Sequence, residues 1–475
     1  MRPSYIQRIQ TGRTIIEQSR GVGGPHTPNA PAVPGNNTDN AIPPGPGHAA
    51  HDVRNALQPP AGALQWTPHR ILKDVGTQGT QVCVYRQGDP FSNVTRRVVV
   101  IKKTLSATNH FAPLYPGGHL LNLEEVLVHR AIQNNCPAHV VNLIHGTMPG
   151  TYAPTILYKL LALDWVPYGD LDALIAHYKA SSQLIPEPFI WYCFKVLTEV
   201  SLVGWNGHAA RGMRAGWDRI VNLDIKPQNI LLDVNNVTEP MLWARQYPHP
   251  KVTDFGLAFF TEQGRDDLDH ATPWRQRLNP PDFDGYGTPG QYAPEMLGRN
   301  VQELQSSWID PANCVNTLNR LNTELTGPTA ADPLDYRAVH SWTMVWEIGM
   351  VMWQMLSGQR HGGIDSRDSF VVDFSEANGR RDYPPWFCQV DGVTRLRPAY
   401  SGRLVELVYQ CMAFHPKNRI DLEDLWDEVS AGCMDIANVY GLNQQAAPPA
   451  GPNPVSHVPD KYPVGQNVLN DVPGP

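Results

Sequence analysis

Apolar residues recur with a regular period in four stretches of the chain. Residues 98–101 form a β-branched run next to charged residues, which predicts a strand. Residues 123–133 carry apolar side chains three and four positions apart, which predicts a helix with one apolar face. Residues 189–205 predict a longer helix, and residues 345–356 predict a helix that is buried nearly all round. Strands thus precede a mostly helical region.

The two ends of the chain have a different composition. Residues 21–60 hold nine prolines and six glycines, and the last thirty or so residues are similarly rich in proline. Such segments bury too little apolar surface to offset their ordering entropy. We therefore expect disordered tails at residues 1–62 and 443–475 around one folded domain at 63–442. The tails are interpreted as spacers, with ligands for proline-binding modules as the alternative. Residues 1–20 are interpreted as a basic tail, with a targeting segment as the alternative.

Charge and cysteine content exclude several classes of protein. The net charge of −7 argues against a nucleic-acid binder that acts through bulk positive charge. No apolar run approaches the ~20 residues of a membrane span, so no membrane partner is expected. The 7 cysteines are odd in number and form no closely spaced pair, which favours a reducing compartment over a disulfide framework. The predicted location is cytoplasmic or nuclear.

Residues 223–231 carry the strongest chemical signal in the sequence. Asp224 is followed by Lys226 two positions later and by Asn229 five positions later. A carboxylate can accept a hydroxyl proton, a lysine can neutralise a transferring phosphoryl group, and an amide oxygen can bind a divalent cation. This pattern resembles the catalytic loop of protein kinases.

Three further motifs stand in the order that a kinase would require. Residues 254–256, Asp-Phe-Gly, resemble the kinase metal-binding motif, and residues 287–295 resemble the end of an activation segment. Residues 99–102 resemble the strand whose lysine, here Lys102, binds phosphate. Glu125 lies on the predicted helix where the partner of that lysine is expected.

The resemblance is to the eukaryotic protein kinase family, of the Ser/Thr type, and it covers roughly residues 71–429. It implies an α+β, bilobal protein-kinase-like fold. A small β-rich N-lobe with one main helix would occupy about 63–164, and a larger, mostly helical C-lobe about 167–442, with an insertion at about 299–337. The implied activity is transfer of the γ-phosphoryl group of ATP to hydroxyl groups of a protein substrate, with ATP and Mg²⁺ as cofactors.

The resemblance also implies roles for individual residues. Asp224 would orient and deprotonate the substrate hydroxyl, and Lys226 would stabilise the phosphoryl group. Asn229 and Asp254 would hold Mg²⁺. Lys102 would bind the α- and β-phosphates of ATP.

Other positions match the family in supporting roles. Glu125 would brace the phosphate-binding lysine, and Arg419 would pair with Glu295 as a structural ion pair. The positions implied for nucleotide binding are Gly79, Val84, Val100, Lys102, Asp164, Val166 and Leu231.

The sequence departs from the family at four informative positions. The glycine-rich loop keeps Gly79 but has Val82 at another glycine position. Asn222 and Leu223 replace the His and Arg that precede the catalytic Asp, so this would be a kinase without the arginine. Met344 replaces an Asp that holds the backbone of the catalytic loop. The alternatives are a pseudokinase-like scaffold or nucleotide-binding module without phosphotransfer, and a small-molecule kinase of related fold.

Overall fold

The computed structural model describes most of the chain between residues 65 and 439. The described residues are 65–73, 80–88, 95–107, 121–146, 150–153, 156–180, 184–234, 239–261, 287–288, 291–297, 319, 322–323, 325, 334, 336–358 and 400–439. The predicted tails, most of the predicted insertion and Gly79 lie outside these residues.

The described residues belong to two compact units. Unit 1 contains the described residues up to Arg130 together with Val141–Trp165. Unit 2 contains Ala131–Val140 and the described residues from Val166 onward. Each unit has its own layers of secondary structure and its own buried side chains.

The described part of unit 1 contains an antiparallel sheet. Its strands are β1 (Gln65–Lys73), β2 (Thr80–Gly88), β3 (Thr95–Ala107), β4 (Leu143–Gly146), β5 (Gly150–Ala153) and β6 (Ile156–Asp164). They pair in the order β1-β2-β3-β6-β4, and β5 also pairs with β6. The predicted strand at 98–101 is confirmed within β3. It is longer than predicted because β2 and β6 extend the ladder on both of its sides.

The register of this sheet separates two faces. One face carries a buried cluster of Cys83, Tyr85, Val99, Ile101, Leu160 and Ala162. Because side chains alternate along a strand, Val84, Val100 and Lys102 lie on the opposite face. Val84 pairs directly with Val100, so the implied nucleotide-binding valines are neighbours across two strands.

Helix α1 (Leu121–Asn135) confirms the helix predicted at 123–133. Its buried Val126 packs against β4 at Gly146, where a side-chain carbon would lie 2.7 Å from a Val126 methyl group. His129 contacts the carbonyl oxygen of Val141 at 2.7 Å through Nε2. These contacts fix the rotation of the helix, and with it the direction of Glu125.

The helices described in unit 2 are α2 (Leu171–Ala180), α3 (Glu187–Asn206), α4 (Ser341–Ser357), α5 (Gly402–Cys411) and α6 (Leu422–Val439). Helices α3 and α4 confirm the predictions at 189–205 and 345–356, and both are buried on nearly all sides. α3 packs against α4 and α6. Within the part of the chain that the structure describes, no helix is both long and apolar enough to cross a membrane.

Two small antiparallel sheets are also described in unit 2. Strand β7 (Ile220–Asn222) pairs with β10 (Ala258–Phe260), and β8 (Ile230–Asp233) pairs with β9 (His249–Val252). The predicted catalytic loop connects β7 to β8. The two short sheets therefore position both ends of that loop.

Candidate active site

Residues of the predicted catalytic loop converge into one hydrogen-bonded cluster. Lys226 Nζ donates to Asp224 Oδ1 at 3.0 Å and to Oδ2 at 2.7 Å. Thr288 Oγ1 accepts from Lys226 at 2.8 Å and donates to Asp224 Oδ1 at 2.8 Å. Asn229 Nδ2 donates to the Asp224 carbonyl at 2.9 Å and to Oδ2 at 3.0 Å. A carboxylate, an ammonium group and an amide thus occupy one site, as the spacing predicts.

Gly287 brings Thr288 to this cluster. Its φ of 101° lies in a region that only glycine adopts without cost. A side-chain carbon at this position would lie 2.7 Å from the carbonyl oxygen of Leu223. The backbone at residue 287 can therefore approach the loop at residues 223–231 only because residue 287 has no side chain.

Asn229 and Asp254 come to the same end of a two-stranded sheet. Asn229 directly precedes β8, and Asp254 follows the end of β9 by two residues. Because the strands are antiparallel, the start of β8 and the end of β9 are adjacent, and Thr253 N donates to Asn229 O at 2.9 Å. Asn229 uses Nδ2 toward Asp224, so Oδ1 is the atom it can offer a metal. Two oxygen donors fit Mg²⁺.

Asp254 has a special backbone conformation. Its φ is 59°, the left-handed region that residues other than glycine enter at a cost. Its Oδ1 accepts from the backbone N–H of Gly256 at 3.3 Å. A strained backbone conformation persists only when the surrounding structure holds it in place, and such residues cluster at functional sites.

The predicted pairing of Lys102 with Glu125 is confirmed. Lys102 Nζ lies 2.8 Å from Glu125 Oε1, and their side chains are 14% and 2% exposed. Lys102 points to the face of the sheet opposite the buried cluster, whereas Lys103 lies on the cluster side. The register therefore selects Lys102 as the phosphate-binding candidate.

Three further positions implied for nucleotide binding, Asp164, Val166 and Leu231, belong to different units. In unit 1, the backbone N–H of Asp164 donates to Asn142 O at 3.0 Å, so this N–H is already engaged within the unit. The Asp164 carboxylate accepts from Arg97 at 2.9 Å and Asn142 at 2.6 Å. In unit 2, Val166 is buried and Leu231 is half-buried on β8.

Glu347 is a residue of the site that the sequence reasoning missed. Glu347 lies near the middle of α4, and its Oε2 accepts a hydrogen bond from the backbone N–H of Ile225 at 3.0 Å. Asn222 Oδ1 similarly accepts the backbone N–H of Asp224 at 3.2 Å. These two contacts support the loop backbone although Met344 cannot. The available signal was a lone acid in a helix predicted to be buried all round.

Burial governs the protonation of Glu347. The side chain is 1% exposed, and its Oε1 has no hydrogen-bond partner. Burial raises the pKa of Glu347 well above its usual range, and the nearby charges of Asp224 and Glu295 raise it further. The neutral acid is therefore favoured, which avoids a second buried negative charge beside Asp224.

The predicted pairing of Arg419 with Glu295 is also confirmed. Two parallel bonds of 2.8 Å join Arg419 Nη1 and Nη2 to the carboxylate, and both side chains are 0% exposed. Thr343 Oγ1 donates to the same carboxylate at 2.8 Å. The pair and Thr343 together anchor Glu295 and its neighbours against α4.

Comparison with known proteins adds no relative to these observations. No protein-family model matches the chain, and no curated protein matches its sequence.

Proposed function

We propose that this protein is a Ser/Thr protein kinase with a bilobal protein-kinase-like fold, which uses ATP and Mg²⁺. The observation that carries the proposal is the cluster formed by Asp224, Lys226, Asn229 and Thr288. A base, a cation and a metal ligand are held within hydrogen-bonding distance by one loop. Phosphoryl transfer requires positioning and charge stabilisation more than covalent chemistry, and this set supplies both.

The proposed reaction transfers one phosphoryl group. A protein hydroxyl oxygen forms a bond to the γ-phosphorus, and the bond from that phosphorus to the β–γ bridging oxygen breaks. Asp224 accepts the hydroxyl proton, Lys226 stabilises the charge on the phosphoryl oxygens, and ADP leaves. The threonine of the cluster, Thr288, fits Ser/Thr specificity in the family that the sequence resembles.

Cofactor binding is assigned to residues with matching chemistry. Asn229 and Asp254 would hold Mg²⁺, which neutralises phosphate charge when bound. Lys102, fixed by Glu125, would bind the α- and β-phosphates. The side chain of Val100, on the same face of the sheet as Lys102, would contact the base.

One observation favours the alternative of a pseudokinase-like scaffold or nucleotide-binding module. Val82 occupies a glycine position of the phosphate-binding loop, and it pairs directly with Lys102 across β2 and β3. A branched side chain there hinders close approach of backbone N–H groups to phosphate. The third reading, a small-molecule kinase, is disfavoured by the Arg419–Glu295 pair, which belongs to the protein-kinase pattern.

The test is phosphate transfer from γ-labelled ATP with Mg²⁺ to a peptide library containing Ser, Thr and Tyr. We expect label on Ser and Thr from the wild type, and its loss in Asp254→Ala and Asp224→Asn. Binding of a fluorescent ATP analogue is measured in parallel. Asp224→Asn should keep nucleotide binding, because that residue is assigned to the hydroxyl and not to ATP.

Two outcomes would contradict the kinase proposal. Equal labelling by wild type and both variants would mean that the activity comes from elsewhere. Absence of labelling in the wild type, with saturable binding of the analogue, would establish the nucleotide-binding module instead.

A further inference from the structure

A second polar cluster lies in unit 2, apart from the catalytic loop residues. It consists of His139, Glu239 and His249, which are 4%, 2% and 2% exposed. One potential ligand atom from each residue lies within 4.8 Å of the other two. Glu239 comes from the segment 239–248 that precedes β9, His249 is the first residue of β9, and His139 comes from the chain that follows α1.

The segment 239–248 is packed into unit 2 through two aromatic side chains. Its Trp243 and Tyr247 are buried against α3, with ring centroids 6.2 Å from Tyr192 and 5.5 Å from Phe189 respectively. The segment therefore delivers Glu239 to the protein interior at a defined position.

Contacts made through Nε2 orient the rings of both histidines. His249 Nε2 lies 2.6 Å from the carbonyl oxygen of Ala138, which can only accept, so Nε2 carries the proton and Nδ1 carries a lone pair. His139 Nε2 lies 3.4 Å from Glu199 Oε2, and its buried Nδ1 has no hydrogen-bond partner. A histidine that donates one N–H to a carbonyl or carboxylate and keeps a lone pair on the other nitrogen is the usual arrangement of a metal ligand.

The carboxylate of Glu239 is poorly satisfied for a buried charge. Lys195 Nζ is 3.9 Å from Oε1, and Met241 N is at the limit of hydrogen bonding, at 3.5 Å. The Tyr192 hydroxyl lies 3.3 Å from Oε2, but it also contacts His249 Nδ1. Because that Nδ1 can only accept, the single hydroxyl proton belongs to it, and Glu239 is left without a short donor. A buried acceptor in this state is costly.

We propose that His139, Glu239 and His249 form a structural Zn²⁺ site. Two imidazole nitrogens and a carboxylate oxygen are typical Zn²⁺ ligands, with a water or the Tyr192 hydroxyl as the fourth. Nitrogen donors disfavour Mg²⁺, so this site is distinct in chemistry from the proposed catalytic metal. Tetrahedral ligands lie about 3.3 Å apart, so the ion draws the three groups together. The burial of all three excludes a substrate and assigns the metal a role in stability.

The test uses the full chain, stripped of metal with a chelator and titrated with Co²⁺ as a spectroscopic probe. We expect the intense visible absorption of a four-coordinate ion at one equivalent, displaced by Zn²⁺. Zn²⁺ should also raise the melting temperature of the wild type, because it binds the folded state. Glu239→Gln and His249→Gln should bind at least about ten-fold more weakly. His177→Gln, a histidine of α2, should bind as the wild type does.

The proposal is overturned if the wild type shows no such absorption at one equivalent. It is also overturned if Glu239→Gln melts cooperatively yet binds Co²⁺ unchanged. Glutamine has nearly the same shape as glutamate, so Glu239→Gln is expected to fold. It therefore tests the metal site even if His249→Gln does not fold. None of these measurements depends on phosphotransfer, so the kinase proposal can fail without affecting them.

Discussion

Buried carboxylates in the two units are neutralised in two ways, by a neighbouring cation or by a raised pKa. Three of them lie against cations: Glu125, Asp224 and Glu295. Glu347 has no such hydrogen-bonded cation and accepts only the backbone N–H of Ile225. Burial of a carboxyl group without a cationic partner raises its pKa and favours the neutral form. Individual environments, and not residue type, therefore decide which acids carry charge.

The Glu347→Gln variant is predicted to be more stable than the wild type at pH 8. Burial raises the pKa of Glu347 in the folded state, so the unfolded chain loses this proton first as the pH rises. Wild-type stability therefore falls above the ordinary glutamate pKa, and glutamine has no proton to lose. Urea unfolding from pH 5 to pH 8 should show that the free energy of unfolding of Glu347→Gln exceeds that of the wild type by an amount that increases with pH.

Glu347→Ala provides the control, since it removes the acceptor for the catalytic-loop backbone. We expect it to be less stable than the wild type at every pH. Parallel curves for wild type and Glu347→Gln would show that Glu347 is charged in the folded protein.

The Lys102→Met variant is predicted to lose at least about 100-fold in phosphoryl transfer, because the phosphates lose their positioning cation. Glu125 then remains buried without its partner, so thermal melts must accompany the assay. Lys102→Arg keeps a cation at this carboxylate and separates stability from rate. Near-normal turnover of Lys102→Met would mean that another cation, such as Lys103, binds the phosphates.

Helix α4 organises the candidate site as an element. It supplies Glu347 to the catalytic loop and Thr343 to the Glu295 carboxylate. At Gly349 it approaches α5 so closely that a side-chain carbon would lie 2.7 Å from Cys411 Cβ. Its burial on nearly all sides follows from these simultaneous contacts, which a helix packed on one face could not make.

Arg419→Ala is predicted to destabilise unit 2 by about 3–5 kcal/mol, because it leaves Glu295 as an uncompensated buried charge. Arg419 also donates to the carbonyl oxygens of Ala413 at 2.7 Å and Phe414 at 2.9 Å, and these acceptors lose their donor too. Chemical unfolding measures the loss. The exposed Arg403 is the matched control, and Arg403→Ala should cost at most about 1 kcal/mol. Equal effects of the two variants would refute a buried pair.

Gly432→Ala is predicted to destabilise the contact between α6 and α3 by about 1–3 kcal/mol. A side-chain carbon there would overlap the ring of Trp191, which is 2% exposed and cannot move aside. The cost exceeds the gain of up to about 1 kcal/mol that alanine has over glycine in a helix. Gly402→Ala in α5, where a side chain meets nothing within 4 Å, should be neutral or stabilising. Similar unfolding midpoints for the two variants would contradict the close contact.

For the whole molecule, composition separates the central region from both ends. Residues 21–60 are dominated by proline, glycine and small polar residues, whereas the described helices and strands are rich in apolar ones. Each of the two units has buried apolar side chains of its own. Stability should therefore be a property of the central region.

A chain of residues 62–443 is predicted to keep the melting temperature and the phosphoryl-transfer rate of the full chain. The physical reason is that the removed segments have too few apolar residues to form a core. Calorimetry and the labelled-ATP assay measure the two quantities. A large loss in either would show that one of the removed segments binds the central region.

The sequence predicted the local elements and the main ionic pairs of the site. The helices at 123–133, 189–205 and 345–356 follow from apolar periodicity, which reflects burial directly. The pairs Lys102–Glu125 and Arg419–Glu295 followed from family motifs and are present as hydrogen-bonded contacts. Their roles in catalysis and the bilobal kinase fold stay predictions.

Only the tertiary structure decided which distant groups meet. Glu347 reaches Ile225 across 122 positions of sequence, and Glu239 comes close to His139 through the segment before β9, whose packing has no periodic signal. The local pattern of apolar and polar residues shows which positions of a helix or strand face the core and which face solvent. A buried polar contact is instead set by the register of helices and strands far apart in the chain, and no short stretch of sequence contains that information.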